Sequence, residues 1–186
     1  HRSDFRSPTL LSWLKALPDH VFKVRPVLSV GYAWELLNGG EFEEADRRLR
    51  EAEPWIAAAN GGESMDPAAA KVQIMDEEEF RLLPAEIESA RAYLAMASGD
   101  AATTVGHAKR ALELIPLDDH IRRGPAASLL GLAHWTTGDL EAAHESLAEG
   151  MASFARAGNV LFAISGVFGL ADIRIAQGRL HDGVSD

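Results

Sequence analysis

Apolar residues along this chain recur at helical spacing. Between residues 141 and 154, Ala143, Leu147, Met151 and Phe154 lie three or four positions apart, on one face of a helix. No stretch alternates apolar and polar residues over the length of a strand. The pattern therefore predicts an all-α fold. Helices are expected over residues 27–37, 43–56, 87–97, 105–115, 126–135, 141–154 and 161–176.

A glycine turn recurs between these predicted helices. A polar residue follows the glycine, an apolar residue usually comes next, and a small residue lies five positions after the glycine. Glycine can adopt the left-handed conformation that ends a helix, and the small residue lets the second helix approach the first. Each repeat is therefore predicted to be two helices joined by a glycine turn, with a period of about 40 residues. The pairs of glycine and small residue are Gly40 and Ala45, Gly99 and Thr104, Gly138 and Ala143, and Gly178 and Gly183.

The first interval between turn glycines is longer than the others by about 19 residues. Residues 60–78 contain Gly61-Gly62 and Met65-Asp66-Pro67 and lack a clear apolar face, so we interpret them as an inter-repeat insertion. A functional lid is the alternative for this insertion. The acidic residues 76–79 are expected to be a solvated helix start. We expect residues 1–186 to form one repeat domain.

Proline positions agree with this division into repeats. Pro26, Pro84 and Pro125 are expected at or near the starts of first helices, where a missing N–H does little harm. Pro116 follows a second helix and is expected to stop it.

Composition excludes several classes of function. The chain has 186 residues, no cysteine, and 18 Lys and Arg against 28 Asp and Glu, for a formal net charge of −10. Without cysteine there are no disulfides, thiolate metal sites or cysteine nucleophiles. An acidic surface repels phosphates, so we expect this segment to make no direct contact with nucleic acid.

Targeting signals are also missing from the sequence. No apolar run approaches the roughly 20 residues of a membrane span. The first residues do not show the positively charged segment followed by an apolar segment that is typical of a signal peptide. We therefore expect a cytoplasmic protein without membrane contact. The chain begins at His1 and ends at Asp186 part-way through a repeat, so we expect it to be a fragment of a larger protein.

The small residues of each repeat resemble the tetratricopeptide repeat (TPR) pattern, which has one small residue in the first helix and others in the second. The large aromatic residue usual in the first helix is replaced by Leu36, Ala95, His134 and Arg174, so these TPRs are degenerate. The matching small residues are Ala33, Ala45 and Ala52, then Ala92, Thr104 and Ala111, then Gly131, Ala143 and Gly150.

The order and spacing of several longer motifs resemble those of the MalT-like regulators, the large ATP-binding regulators of the LuxR family. The similarity extends over nearly the whole chain and is weakest across residues 60–78. The motifs are Trp13-Leu14-Lys15-Ala16-Leu17-Pro18, Arg25-Pro26-Val27-Leu28, Tyr32-Ala33-Trp34, Gly40-Glu41-Phe42-Glu43-Glu44-Ala45, Arg91-Ala92-Tyr93-Leu94-Ala95, Gly99-Asp100, Ala157-Gly158-Asn159 and Gln177-Gly178-Arg179-Leu180.

This resemblance implies a central sensor domain, a right-handed superhelical solenoid of TPR-like hairpins. The family places it between an N-terminal STAND-type ATPase and a C-terminal LuxR-type helix-turn-helix. The chain contains neither a Gly-x-x-x-x-Gly-Lys-[Ser/Thr] phosphate loop nor a basic recognition helix. The resemblance therefore covers the sensor alone, and DNA binding is expected from a missing C-terminal domain.

In a TPR superhelix the first helices line a concave groove. Transferring the TPR frame predicts that Val30, Leu37, Glu86, Ser89, Met96, Ser128, Leu132, Thr136, Ile175 and Ala176 project into it, together with the residues predicted to bind ligand: Trp34, Asn38, Tyr93, Trp135, Phe168 and Asp172. Aromatic residues at helical spacing are also typical of inter-repeat core, and this alternative stays open for Trp34 and Trp135. We interpret Trp13 and Trp55 as core or stack-end packing.

The leading hypothesis is a sensor domain of a bacterial transcriptional activator that binds a small-molecule effector or a partner in this groove and favours self-association. The alternative is a TPR scaffold that binds a peptide or a partner domain. No enzymatic activity, cofactor or metal site is expected. None of the seven histidines has metal-ligand spacing such as His-Glu-x-x-His, and no serine lies in a Gly-x-Ser-x-Gly setting.

Overall fold

The structure is a computed structural model, and it describes residues 8–56, 77–176 and 178. Every regular element in these ranges is helical, so the all-α prediction is confirmed. The α-helices are α1 (Pro8–Ala16), α2 (Asp19–Lys23), α3 (Pro26–Asn38), α4 (Phe42–Ala52), α5 (Glu77–Arg81), α6 (Leu83–Ala97), α7 (Ala101–Leu114), α8 (His120–Thr137), α9 (Leu140–Arg156) and α10 (Val160–Ala176), and a 3₁₀ turn (Glu53–Trp55) follows α4.

The first helices of the repeats are α3, α6, α8 and α10, and α4, α7 and α9 are second helices. The second helix predicted over residues 43–56 is shorter, because α4 ends at Ala52 and the chain continues as a 3₁₀ turn that contains Pro54. Pro26 is the first residue of α3 and Pro84 the second residue of α6, as predicted.

The expectation for Pro125 is wrong, because this residue lies inside α8. The helix starts at His120, six residues before the predicted start. Asp119 caps it, since the Asp119 carboxylate accepts a hydrogen bond from the backbone N–H of Arg122 at 3.2 Å. Asp119 is therefore the N-cap of α8, and the helix continues through Pro125.

The glycine turns have the predicted conformation. Gly40, Gly99, Gly138 and Gly178 all have positive φ, between 75° and 83°. At the end of α8, the Gly138 N–H donates to the Trp135 carbonyl at 3.1 Å, and the Asp139 N–H donates to the His134 carbonyl at 3.0 Å. This pair of bonds satisfies carbonyls that the helix end leaves without partners. The same φ occurs at Gly158, where α9 turns into α10.

The chain divides into two compact units, residues 1–90 and 91–186, and the boundary lies inside α6. In unit 1, α3 packs against α4 and also contacts α1, α2 and α5. The Arg48 guanidinium is buried and ties α4 to α2. It donates to Asp19 at 2.5 Å and lies 4.5 Å from the ring centroid of Phe22. The remaining guanidinium nitrogens bond to Glu44 and Glu51.

In unit 2, helices α7, α8, α9 and α10 pack each against the next. The helices α8 and α9 approach so closely that a Cβ at Gly131 would lie 2.5 Å from Cγ of Leu147 and 2.9 Å from its backbone nitrogen. Ala143 and Thr104, the small residues five positions after a turn glycine, are fully buried. The close approach predicted from the small residues is therefore present in this unit.

Part of the sequence prediction lies outside the described residues. Residues 57–76 hold most of the predicted insertion at 60–78, and Gly183 is also outside. Glu77 and Glu78 are the exposed first two residues of α5, in agreement with a solvated helix start. The right-handed superhelix and the single domain over residues 1–186 stay predictions. None of the helices in the described ranges combines the length and apolar character that crossing a bilayer requires.

Candidate functional site

Trp135, near the end of α8, lies close to Gly169 of α10 at one corner of its indole ring. A Cβ built at Gly169 would lie 3.9 Å from Cζ3 of Trp135, which is an ordinary van der Waals separation. The residue nevertheless remains 36% exposed. The ring thus lies near the next first helix along the chain while part of it stays open to solvent.

The residues around this contact form an exposed surface on unit 2. Leu132 lies one helical turn before Trp135 and is 38% exposed. Asp172 lies one turn after Gly169 on α10 and is also exposed. We call this the Trp135 surface, and it consists of Leu132, Trp135, Thr136, Gly169 and Asp172.

Thr136 contributes little polarity to the Trp135 surface. Its hydroxyl donates to the Ala133 carbonyl of its own helix at 2.9 Å. The carboxylate of Asp172, one helical turn from Gly169, is therefore the charged group of this surface. An apolar surface with few polar groups is typical of small-molecule sites.

Tyr93 is less accessible than a groove residue is expected to be. It is half-buried and packs with Met96 on a core cluster of α6, α7 and α8. The structure therefore places Tyr93 in the packing between helices of unit 2. The buried residues of this cluster are Ala92, Ala108, Leu129 and Leu130.

In unit 1, Trp34 connects two successive first helices. It is half-buried, and its Nε1 donates a hydrogen bond to Oε2 of Glu86 at 3.0 Å, which links α3 to α6. Asn38 is exposed as the last residue of α3. Val30 and Leu37 do not project into a groove as predicted, because both are core residues at 3% and 1% exposure.

The remaining aromatic predictions have mixed outcomes. The side chain of Phe168 lies outside the described residues. Trp13 is 67% exposed and is not a core residue, so of the two interpretations only stack-end packing stays a prediction; Leu14, the next residue of α1, is buried. Trp55 is half-buried in the 3₁₀ turn after α4.

The comparisons with known proteins identify the family. A family model described as the MalT-like TPR region matches residues 85–185, which is more than half of the chain. The chain belongs to this family. No curated protein and no solved structure matches it. The resemblance to a MalT-like TPR region is confirmed over residues 85–185, and this range contains all of the Trp135 surface.

A separate depression lies in unit 1, outside the range that the family model matches. It lies at the turn between α3 and α4, is shallow and open, and contains none of the predicted ligand-binding residues. Within the described ranges, no group of three or more His, Asp or Glu side chains could hold a metal ion. The lining residues of the depression are Gly40, Glu41, Phe42, Glu43, Glu44, Arg47 and Arg50.

Sequence reasoning missed two residues beside the predicted ligand-binding positions. Gly169 receives the ring corner of Trp135, and Ile164 is 56% exposed on α10. Both could have been found from helical spacing, because Ile164 precedes Phe168 by four positions and Gly169 precedes Asp172 by three. The TPR frame lists fixed positions in each repeat and therefore passed over them.

Proposed function

We propose that this MalT-like TPR region is the effector-sensing domain of a LuxR-family transcriptional regulator, and that a small-molecule effector binds at the Trp135 surface. The observation that carries the proposal is the partly exposed indole of Trp135 against Gly169. An aromatic ring with exposed apolar neighbours and one carboxylate offers a ligand both contact area and a polar group for orientation.

The proposed site can couple binding to a change of state because it is shared by two helices. Leu132 and Trp135 belong to α8, and Gly169 and Asp172 belong to α10. An effector that touches both helices favours the arrangement in which it makes the most contacts. A difference in affinity between two arrangements is what any ligand-driven switch requires.

The proposal assigns no catalytic step to this chain. The effector would bind and favour a self-associating state of the regulator in the cytoplasm, and other parts of the regulator would contact DNA. The net charge of −10 supports the assignment of DNA contact to other parts of the regulator, because an acidic surface repels phosphates.

Thermal unfolding of the chain against a library of sugars, small aromatics, amino acids and short peptides tests the proposal. A ligand at about 100 times its dissociation constant stabilises the folded state by about 2.7 kcal/mol, which raises the melting temperature by several degrees. We expect a concentration-dependent shift from one class of small molecule. Stabilisation by peptides alone, or by nothing in the library, contradicts the small-molecule proposal.

An extended apolar stripe on α10 favours a second candidate, a scaffold that binds a helix of a protein partner. Leu161, Ile164 and Ile175 are all more than half exposed, and together they extend roughly 21 Å along the helix. This is longer than a small effector needs, and amphipathic helices bind such stripes through residues three and four positions apart. Stabilisation by amphipathic peptides, lost on changing Ile164 to Glu, supports this candidate over the first.

A further inference from the structure

The charge of the Trp135 surface points to the chemical class of its ligand. Asp172 lies on the side of α10 turned away from α9, since Leu170 and Ile173, which face α9, are buried in the core cluster that includes Leu147. Asp172 is exposed. It is one helical turn from Gly169, the position of α10 that lies near the indole ring of Trp135. A ligand stacked on the exposed part of the indole therefore comes close to the carboxylate of Asp172.

No cation of the protein neutralises this carboxylate in the described part of the chain. Asp172 makes no hydrogen bond or ion pair there. Arg174, the other charged residue of α10, points towards α9, where its Nε donates to Nε2 of His144 at 2.9 Å. Residues two positions apart lie on different sides of a helix, so Arg174 does not face the Trp135 surface. Asp172 is the only ionisable residue of this surface.

A ligand that covers the Trp135 surface removes water from an ionised carboxylate. A neutral apolar ligand makes no hydrogen bond or ion pair that would replace the lost hydration of the carboxylate. An anionic ligand is repelled by Asp172 and by the net charge of −10. A cation pairs with the carboxylate and is attracted by the indole ring as well, because the ring face carries negative charge.

We propose that the ligand of the Trp135 surface is a small organic cation, an amine or quaternary ammonium compound with an apolar or aromatic body. The inference rests on the proposed function, since it specifies the ligand class for the same site. The apolar body would contact Leu132 and the indole ring, and the ammonium group would lie between the ring and Asp172.

Three probes that share one ring test this proposal: 2-phenylethylamine, 2-phenylethanol and phenylacetate, which are cationic, neutral and anionic. The readout is the indole N–H signal of Trp135 in the NMR spectrum of the ¹⁵N-labelled chain, which has four tryptophans. The Trp135→Phe variant assigns the signal. We expect the amine to bind about fivefold more tightly than the alcohol, from one exposed ion pair and one cation–π contact. Phenylacetate should bind most weakly.

Two asparagine variants separate the local charge from the overall charge. Asp172→Asn should lower the affinity for 2-phenylethylamine to the affinity for 2-phenylethanol. Asp118→Asn changes the net charge by the same amount at an exposed residue before α8, and it should leave the amine preference unchanged.

The outcomes distinguish this inference from the proposed function. If all three probes shift the Trp135 signal with equal affinity, or if phenylacetate binds best, the site binds ligand but the cation inference is wrong. The inference also fails if Asp172→Asn keeps the amine preference. If none of the probes shifts the signal, the cation inference fails, and the proposed function is decided separately by the thermal-unfolding library.

Discussion

The indole ring of Trp135 reaches α10 at Gly169, where a Cβ would lie 3.9 Å from Cζ3 of the ring. A methyl group at this position would therefore make an ordinary van der Waals contact with the ring. A larger side chain introduced at Gly169 of α10 can therefore cover the exposed part of the Trp135 surface, and Trp135 itself stays unchanged.

We predict that Gly169→Leu weakens effector binding at least tenfold, because the leucine side chain displaces the ring or covers the surface that the ligand needs. The measurement is the dissociation constant of a ligand identified by thermal unfolding. Gly169→Ala is the matched control, since its methyl group fits beside the ring, and it should bind within about twofold of the unchanged chain. Equal binding by the leucine variant would show that the ligand lies elsewhere.

The packing within unit 2 predicts opposite effects for two glycine-to-alanine changes, one at the contact between α8 and α9 and one at an open position of α7. Gly131→Ala should destabilise the fold by about 1–3 kcal/mol, because the new Cβ collides with Leu147, including its backbone nitrogen. Gly106→Ala, inside α7 with no atom within 4 Å of the new Cβ, should stabilise it by about 0.5–1 kcal/mol. Denaturant unfolding measures both, and a loss at Gly106 or a gain at Gly131 would contradict the packing described for unit 2.

The buried Arg48 predicts that two arginines of α4 respond differently to lysine. Arg48 is 4% exposed, stacks on Phe22 and bonds to three carboxylates, and an ammonium group can reproduce neither the stacking nor the planar fork. Arg48→Lys should therefore lower the free energy of unfolding by about 1–3 kcal/mol. Arg50→Lys, at an exposed pair with Asp46, should stay within about 0.5 kcal/mol. Equal effects at both positions would mean that Arg48 does not hold α2 against α4.

Acid should destabilise unit 1 through Glu44. The Arg47 side chain donates hydrogen bonds to Glu44 and lowers the pKa of its carboxyl below the ordinary value of 4.5. A lowered pKa means that the ionised form is favoured by folding. The contribution of the ionised Glu44 carboxylate to the free energy of unfolding is complete above about pH 4.5. It is lost as the pH falls through the pKa of Glu44 in the folded state.

Glu44→Gln should therefore flatten the fall in the free energy of unfolding on acidification from pH 5 to pH 3. The measurement is denaturant unfolding at a series of pH values. Glu113→Gln is the control, because Glu113 is exposed on α7 and makes no ion pair within the described residues. An unchanged acid response in the Glu44 variant would mean that the Arg47 contact does not stabilise the fold.

The hairpin architecture could be predicted from the sequence because its signals are local. The glycine at position 138 predicts a left-handed backbone conformation at that position. The small side chain of Ala143 predicts that one neighbouring helix packs closely there. The start of α8 was mispredicted because two local signals compete there. Asp119 caps the helix, and Pro125 is tolerated inside it.

The candidate site could be predicted less well because exposure depends on the neighbouring helices. Leu37 and Trp135 occupy the same place in their repeats, three residues before the turn glycine, yet Leu37 is buried and Trp135 is 36% exposed. A Cβ built at Gly39, close to Leu37, would lie 3.6 Å from Cδ2 of Leu11, and α1 packs against α3. The TPR frame has no helix that corresponds to α1, and nothing in the spacing of α3 reveals this contact.

The proposed function depends most directly on Trp135. The decisive measurement is the binding of the thermal-unfolding hit to the Trp135→Ala and Trp13→Ala variants, with helix content followed by circular dichroism. Trp13 is the matched control, because it is an exposed tryptophan in unit 1. We predict that Trp135→Ala abolishes binding with its helix content intact and that Trp13→Ala binds normally. Normal binding by the Trp135→Ala variant would contradict the assignment of the effector site to the Trp135 surface.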